Sequence, residues 1–188
     1  VTSRRRIREY PSRGWFPHPR DVSRSARSGA DPVPCGVPEW YRGTTVGIMT
    51  TITSGRVRSF LDEGGRTGKV GYLGADGRPL VVPVWFAVDG DRIVFNTAAD
   101  SAKGTAMARD PRLTMCVDEQ SGRTFVQVQG TAETTAEHGE VLRVATAVAT
   151  RYVAEGKVER VAGKIAGPGQ LAVFLRPTRV VTSGDLSE

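Results

Sequence analysis

The chain has 188 residues and a mass of 20.2 kDa, with 39% hydrophobic and 24% charged side chains and a formal net charge of +6. That length allows one domain, or one domain and a tail. No apolar run approaches the roughly 18–20 residues of a bilayer-spanning helix, the two cysteines (Cys35 and Cys116) are too few for a disulfide framework, and the two histidines (His18 and His138) stand apart without a metal-ligand cluster.

Residues 1–48 hold nine arginines against four acidic residues, so this segment carries +5 of the net +6. The remainder is nearly neutral, which argues against a DNA-binding face and a nucleic-acid partner. Six of the eleven prolines also fall before residue 49, and neither helical nor strand periodicity persists there. Such a stretch buries too little apolar surface to order itself, so residues 1–48 are expected to be disordered. Val1 is what literal translation of a GTG start codon would give, and Met49 opens a plausible natural beginning. The extension is therefore expected to be a start-site artefact, with the folded domain covering 49–188. No apolar segment follows the basic N-terminus as in a secretory signal, and the expected setting is the reducing cytoplasm.

From residue 53 the pattern is regular. Thr53 or Ser54 can cap a short helix with Val57, Phe60 and Leu61 on one face, ending at Gly64-Gly65. Strands follow at 67–74, 80–88 and 92–97, joined by turns with Asp76-Gly77 and Asp89-Gly90. Pro83 inside a strand points to an edge or a bulge. A helix starts near Ser101 and stops before Pro111. Strands at 112–118 and 124–133, a helix over about 137–153, a short helix near 157–165 and a strand at 171–182 complete the chain. The expected fold is mainly β with peripheral helices: six antiparallel strands in a small closed barrel.

The chain lacks a Gly-x-Ser-x-Gly elbow and a Gly-rich phosphate loop. His138 reads as a solvated surface residue, and Cys116, between Met115 and Val117, as a buried inert thiol. An enzyme built this way draws its reactivity from a bound organic cofactor. The strand-to-helix junction at 95–112 is the most informative segment. Ser101, Lys103 and free backbone N–H groups at a helix start form an anion site, although the same pattern also suits an ordinary capped surface helix.

The order of strand, turn, Ser-x-Lys, helix, "RDPR" and strand resembles the pyridoxamine 5′-phosphate oxidase-like split-barrel superfamily. It is most similar to the actinobacterial branch that uses the deazaflavin coenzyme F420. There the helix reads Lys-x-x-Asn-Leu-x-x-Asp-Pro-Arg; Lys103, Asp110, Pro111 and Arg112 match, while Ala106-Met107 replaces Asn-Leu. Further matches lie at 77–95, at "VQGTAE" (128–133), at Arg151-Tyr152 and at 177–186. A preference for arginine over only four lysines agrees with that branch.

The resemblance implies a homodimeric split barrel with the cofactor at the subunit interface. It places the phosphate near Ser101 and Lys103, and the ring and ribityl chain against Val82, Pro83, Val84, Trp85, Asn96 and Thr97. Gln127 would reach across the dimer. Trp85 and Phe86 are adjacent in a strand and point to opposite faces, so at least one belongs to the core or an interface. Arg56, Arg58 and Arg109 are candidates for a polyglutamate tail. The implied activity is F420H2-dependent hydride transfer to a small unsaturated or carbonyl acceptor, with no catalytic side chain identified. An FMN-binding oxidoreductase and a non-catalytic cofactor- or haem-binding split barrel are the alternatives.

Overall fold

A computed structural model describes residues 46–49, 51–183 and 186. The Pro-rich stretch before Val46, with Cys35 and His18, lies outside the described residues, as do Gly184, Asp185, Ser187 and Glu188. Eight strands are present among the described residues: Val46–Met49 (β1), Gly68–Leu73 (β2), Pro79–Val84 (β3), Ala87–Asp89 (β4), Arg92–Ala98 (β5), Arg112–Asp118 (β6), Phe125–Thr135 (β7) and Gln170–Ser183 (β8). The helices are Gly55–Asp62 (α1), Ala102–Arg109 (α2), His138–Tyr152 (α3) and Val158–Ile165 (α4).

Two strands exceed the expected six. β1 begins three residues before the expected boundary at Met49 and pairs with the end of β8, Val46 opposite Ser183 and Met49 opposite Val180. The single strand expected over 80–88 is broken at Trp85-Phe86 into β3 and β4. That break closes the fold. The strands run in the order β3-β2-β6-β7-β8-β5-β4, all pairs antiparallel. β3 and β4 therefore stand at opposite ends of the path, yet two residues join them. The sheet must curl until its ends meet, and there the barrel is closed by chain rather than by a ladder.

Alternation along the strands fills the barrel. Val70, Phe86, Phe95, Met115, Val128 and Leu175 point inward, and all are at most 1% exposed. Helix α1 adds Val57, Phe60 and Leu61 to this core. Ser54 precedes it in cap geometry, but its hydroxyl makes no cap bond and is buried without a partner.

A second core lies outside the barrel. Val141, Val144, Ala145 and Val148 of α3, with Ala162 of α4, cover Val94 of β5 and Ala172 and Phe174 of β8. Residues Ala172–Leu175 are consequently all buried, alternating between two apolar layers. Among the described residues no such cover lies over β3, where Val81 is 66% exposed. Both Asp-Gly turns form as expected, with Gly77 and Gly90 at φ of 78° and 62°.

Candidate functional site

The junction from β5 to α2 is built around one hydroxyl. Ser101 is the N-cap of α2: its Oγ accepts from the Gly104 N–H at 3.1 Å and donates to the Ala98 carbonyl at 2.7 Å. Thr97, 3% exposed, shares a further hydrogen bond with it at 3.0 Å. With its one proton donated and both lone pairs used, the Ser101 hydroxyl has nothing left for a ligand. Its effect is to fix the first turn of α2. Gly104 is required there, because a Cβ would stand 2.4 Å from the Ala98 oxygen and 2.7 Å from that of Ala99.

This junction holds Lys103 at the edge of a cleft of about 240 Å³, lined also by Pro83, Val84, Trp85, Asn96, Val148 and Ile165. Lys103 is partly buried and makes no hydrogen bond or ion pair with the described residues. Burial pushes its ammonium below the usual lysine pKa. Asn96 donates through Nδ2 to the Val141 carbonyl at 3.1 Å and, more weakly, to that of Leu171 at 3.5 Å. Those acceptors fix the amide orientation, since a flip would set Oδ1 against two carbonyls. The Asn96 Oδ1 is thereby left buried with no donor. Unpaired buried acceptors are uncommon in folded proteins, and Asn96 lines the same cleft as the unpaired Lys103 ammonium.

Trp85 is 42% exposed and Phe86 fully buried, as opposite faces of an extended chain require. The Tyr152 ring stacks on Trp85, centroids 4.8 Å apart and planes 3° from parallel. The Tyr152 hydroxyl donates to the Arg66 carbonyl at 2.7 Å and accepts from the Phe86 N–H at 3.3 Å, which fixes the indole support.

The nine residues proposed from sequence therefore separate. Pro83, Val84, Trp85, Asn96 and Lys103 meet in one cleft. Thr97 and Ser101 stand behind it, hydrogen-bonded to each other. Val82 packs against the barrel core. Gln127 lies on the outer face of β7, opposite Cys116 and Val181, and does not line the cleft. Val148 and Ile165 complete the wall. Neither residue stands out as a site candidate from the sequence.

Other candidates are engaged elsewhere. Arg58 binds Asp62 and the Gly90 carbonyl, and Arg109 binds the Leu73 carbonyl at 2.7 Å. Arg112 grips Asp110 through Nε and Nη2, which holds the Asp110 carboxyl at about 2 and fastens the turn from α2 into β6. His138 is exposed at the start of α3. Cys116 was expected in the core, but its position on β6 turns it to the outer face, where it is only partly buried. Desolvation, with Asp118 nearby, still raises its pKa and keeps it a thiol. The described residues contain no group of three or more His, Cys, Asp or Glu able to hold a metal, and no described helix is long and apolar enough to cross a membrane.

Several solved structures share the fold. A conserved hypothetical protein of Mycobacterium tuberculosis, Rv2991, is 24% identical with a TM-score of 0.59, covering 70% of this chain and 84% of its own. An F420 reductase is 21% identical with a TM-score of 0.52, covering 65% of this chain and 94% of its own. A haem-binding protein of Mycobacterium smegmatis is 21% identical with a TM-score of 0.51, covering 66% of this chain and 55% of its own. At these identities the likeness is one of fold. No curated protein matches the chain. The family model for pyridoxamine 5′-phosphate oxidase matches residues 39–180, and the chain belongs to that family.

Proposed function

We propose that the protein is an oxidoreductase that uses reduced coenzyme F420 to reduce a small unsaturated or carbonyl compound. The observation that carries this reading is that one cleft is lined both by Lys103, whose ammonium has no partner among the described residues, and by Asn96, whose Oδ1 has none. An anion beside a hydroxyl donor would satisfy both, and a phosphorylated polyol chain, common to F420 and FMN, carries those two groups. The cleft, at about 240 Å³, is smaller than the roughly 300–1,000 Å³ of a complete small-molecule pocket. It therefore takes part of such a cofactor, and the rest of the wall is expected from the second subunit of a homodimer, with Gln127 on the uncovered sheet face. The likeness to an F420 reductase supports the deazaflavin over FMN.

When bound, the reduced deazaflavin supplies a hydride. The protein's own contribution is positional and electrostatic. Lys103 holds the phosphate, assisted by the first N–H groups of α2, which have no intrahelical carbonyl to bind. Ser101 and Thr97 act behind it by fixing that turn, and Asn96 takes a chain hydroxyl. Trp85, held by Tyr152, screens the reacting region from water. Lys103 is the only titratable side chain among the described residues lining the cleft, so no general acid is assigned.

Titrating the full chain separately with F420 and FMN, followed by fluorescence, tests the proposal. F420 is expected to bind more tightly and then to be oxidised from its reduced form by an added acceptor. Binding of neither cofactor overturns the proposal, and tighter FMN binding moves it to the flavin oxidoreductases.

A further inference from the structure

Arg151, in the last turn of α3, carries a charge that the described residues leave without a hydrogen-bonded partner. Its three guanidinium nitrogens are shielded from solvent, and none makes a hydrogen bond. The guanidinium carbon stands 4.2 Å from the Phe86 ring centroid and 5.5 Å from that of Tyr152. Those ring faces attract a cation but accept no conventional hydrogen bonds. Asp62 is the acidic group acting on it, yet an Asp62 oxygen is already bound by Arg58 Nε at 2.5 Å, and Arg66 adds like charge. A guanidinium stays protonated in proteins, so five N–H donors remain unsatisfied. Leaving such a group dry and unpaired opposes folding.

A cavity of about 390 Å³ adjoins it, between the end of α1, β4 and the last turns of α3. Arg151 lines this cavity with Asp62, Gly64, Val88, Ala147 and Thr150, and none of its lining residues belongs to the Lys103 cleft. We propose that this cavity is a second ligand site, in which Arg151 binds the carboxylate of a small molecule with a short apolar body. The planar guanidinium fork matches a carboxylate. Ala87, Val88 and Ala147 present apolar wall to the remainder of the ligand. Asp62 opposes a second negative charge, so the site favours a monocarboxylate over a phosphate dianion. The guanidinium nitrogens do not face the cavity in this structure, so entry requires the Arg151 head to turn from the Phe86 ring towards it. The site is independent of what occupies the Lys103 cleft.

Butyrate serves as the probe, titrated calorimetrically into the full chain at constant ionic strength, with inorganic phosphate for comparison. The expected result is saturable butyrate binding, weaker phosphate binding, and a loss of at least roughly tenfold in butyrate affinity for Arg151→Gln. Lys103→Ala is expected to bind butyrate as the parent does. Ala147→Leu fills the cavity and leaves Arg151 in place; it is expected to abolish binding, and it decides the matter if Arg151→Gln does not fold. The proposal is overturned if butyrate shows no saturable binding, binds Arg151→Gln or Ala147→Leu as well as the parent, or is lost in Lys103→Ala. Tighter binding of phosphate than of butyrate overturns the monocarboxylate class.

Discussion

The outer surface of the sheet differs between its two halves. Outside β5 and the first half of β8, helices α3 and α4 lie over Val94, Ala172 and Phe174, and the stretches Ile93–Phe95 and Ala172–Leu175 are buried on both faces. Outside β2, β3, β6 and β7, the outward side chains form rows across the ladders instead. Pro83, Lys69, Cys116, Gln127 and Val181 stand in register, as do Val81, Gly71, Thr114, Gln129 and Arg179. That half mixes apolar and polar groups, with Val81 66% and Ile48 63% exposed. Helices finish one half of the barrel, while the other keeps a mixed, accessible face suited to a second subunit. The Lys103 cleft lies where β3, β5 and the helices come together.

The covered half is the more fragile. Phe174→Ala removes a ring held between β8 and the helices, and is expected to destabilise the fold by about 3–5 kcal/mol. Its melting temperature should fall on the order of 10 °C. A loss below about 1 kcal/mol would show that the helices contribute little to holding that face.

At the boundary, Lys103→Ala is expected not to lower the melting temperature, and to weaken cofactor binding by about 1.5–3 kcal/mol, a loss of roughly ten- to a hundredfold. Unchanged binding removes Lys103 from the site. Its pH dependence follows from burial. The folded pKa lies below the unfolded value, so the charged form is disfavoured by folding. The resulting cost is fully present below the folded pKa and is relieved as pH rises past it. Anion binding has the opposite trend, weakening with rising pH sooner than at an exposed lysine. A flat affinity profile through the alkaline range would contradict this.

Gly104→Ala forces a methyl into the Ala98 and Ala99 carbonyls and is expected to cost about 1–3 kcal/mol. Because it displaces the first turn of α2, cofactor affinity should fall with stability. A loss of stability with unchanged affinity would separate α2 from the binding site. The smallest effect on stability is expected on the uncovered face. Val81→Asp should change the stability of one subunit by no more than about 0.5 kcal/mol, yet lower the mass seen in sedimentation if that face joins two subunits. A dimer that survives this substitution would place the interface elsewhere.

Most of the fold was legible because its signals are local. Asp76-Gly77 and Asp89-Gly90 mark turns, Pro111 limits α2, and Phe125–Val128 alternates between faces. The break at Trp85-Phe86 was not legible, because "LVVPVWFAV" reads as one apolar strand and only barrel closure divides it. β1 was missed because its pairing depends on residues over 130 positions away. The candidate cleft was partly legible: Ser101 and Lys103 are close in sequence, and resemblance pointed to Pro83, Trp85 and Asn96, which line it with Lys103. The saturation of Ser101, the unpaired Asn96 Oδ1 and the unpaired Arg151 follow from three-dimensional contacts that no linear spacing contains.

The last described strand is also the one that completes the barrel. β8 pairs with β7 along one edge, and with β5 and then β1 along the other. The hairpins β2–β3, β4–β5 and β6–β7 can each form from neighbouring residues. None can join the others into a closed barrel before β8 arrives between them. During synthesis, β5 and β7 must wait with open edges until β8 begins at Gln170, well after Ala98 and Thr135 have emerged. Refolding is accordingly expected to be cooperative and slow for this size, on the order of milliseconds to seconds, with the barrel closing late.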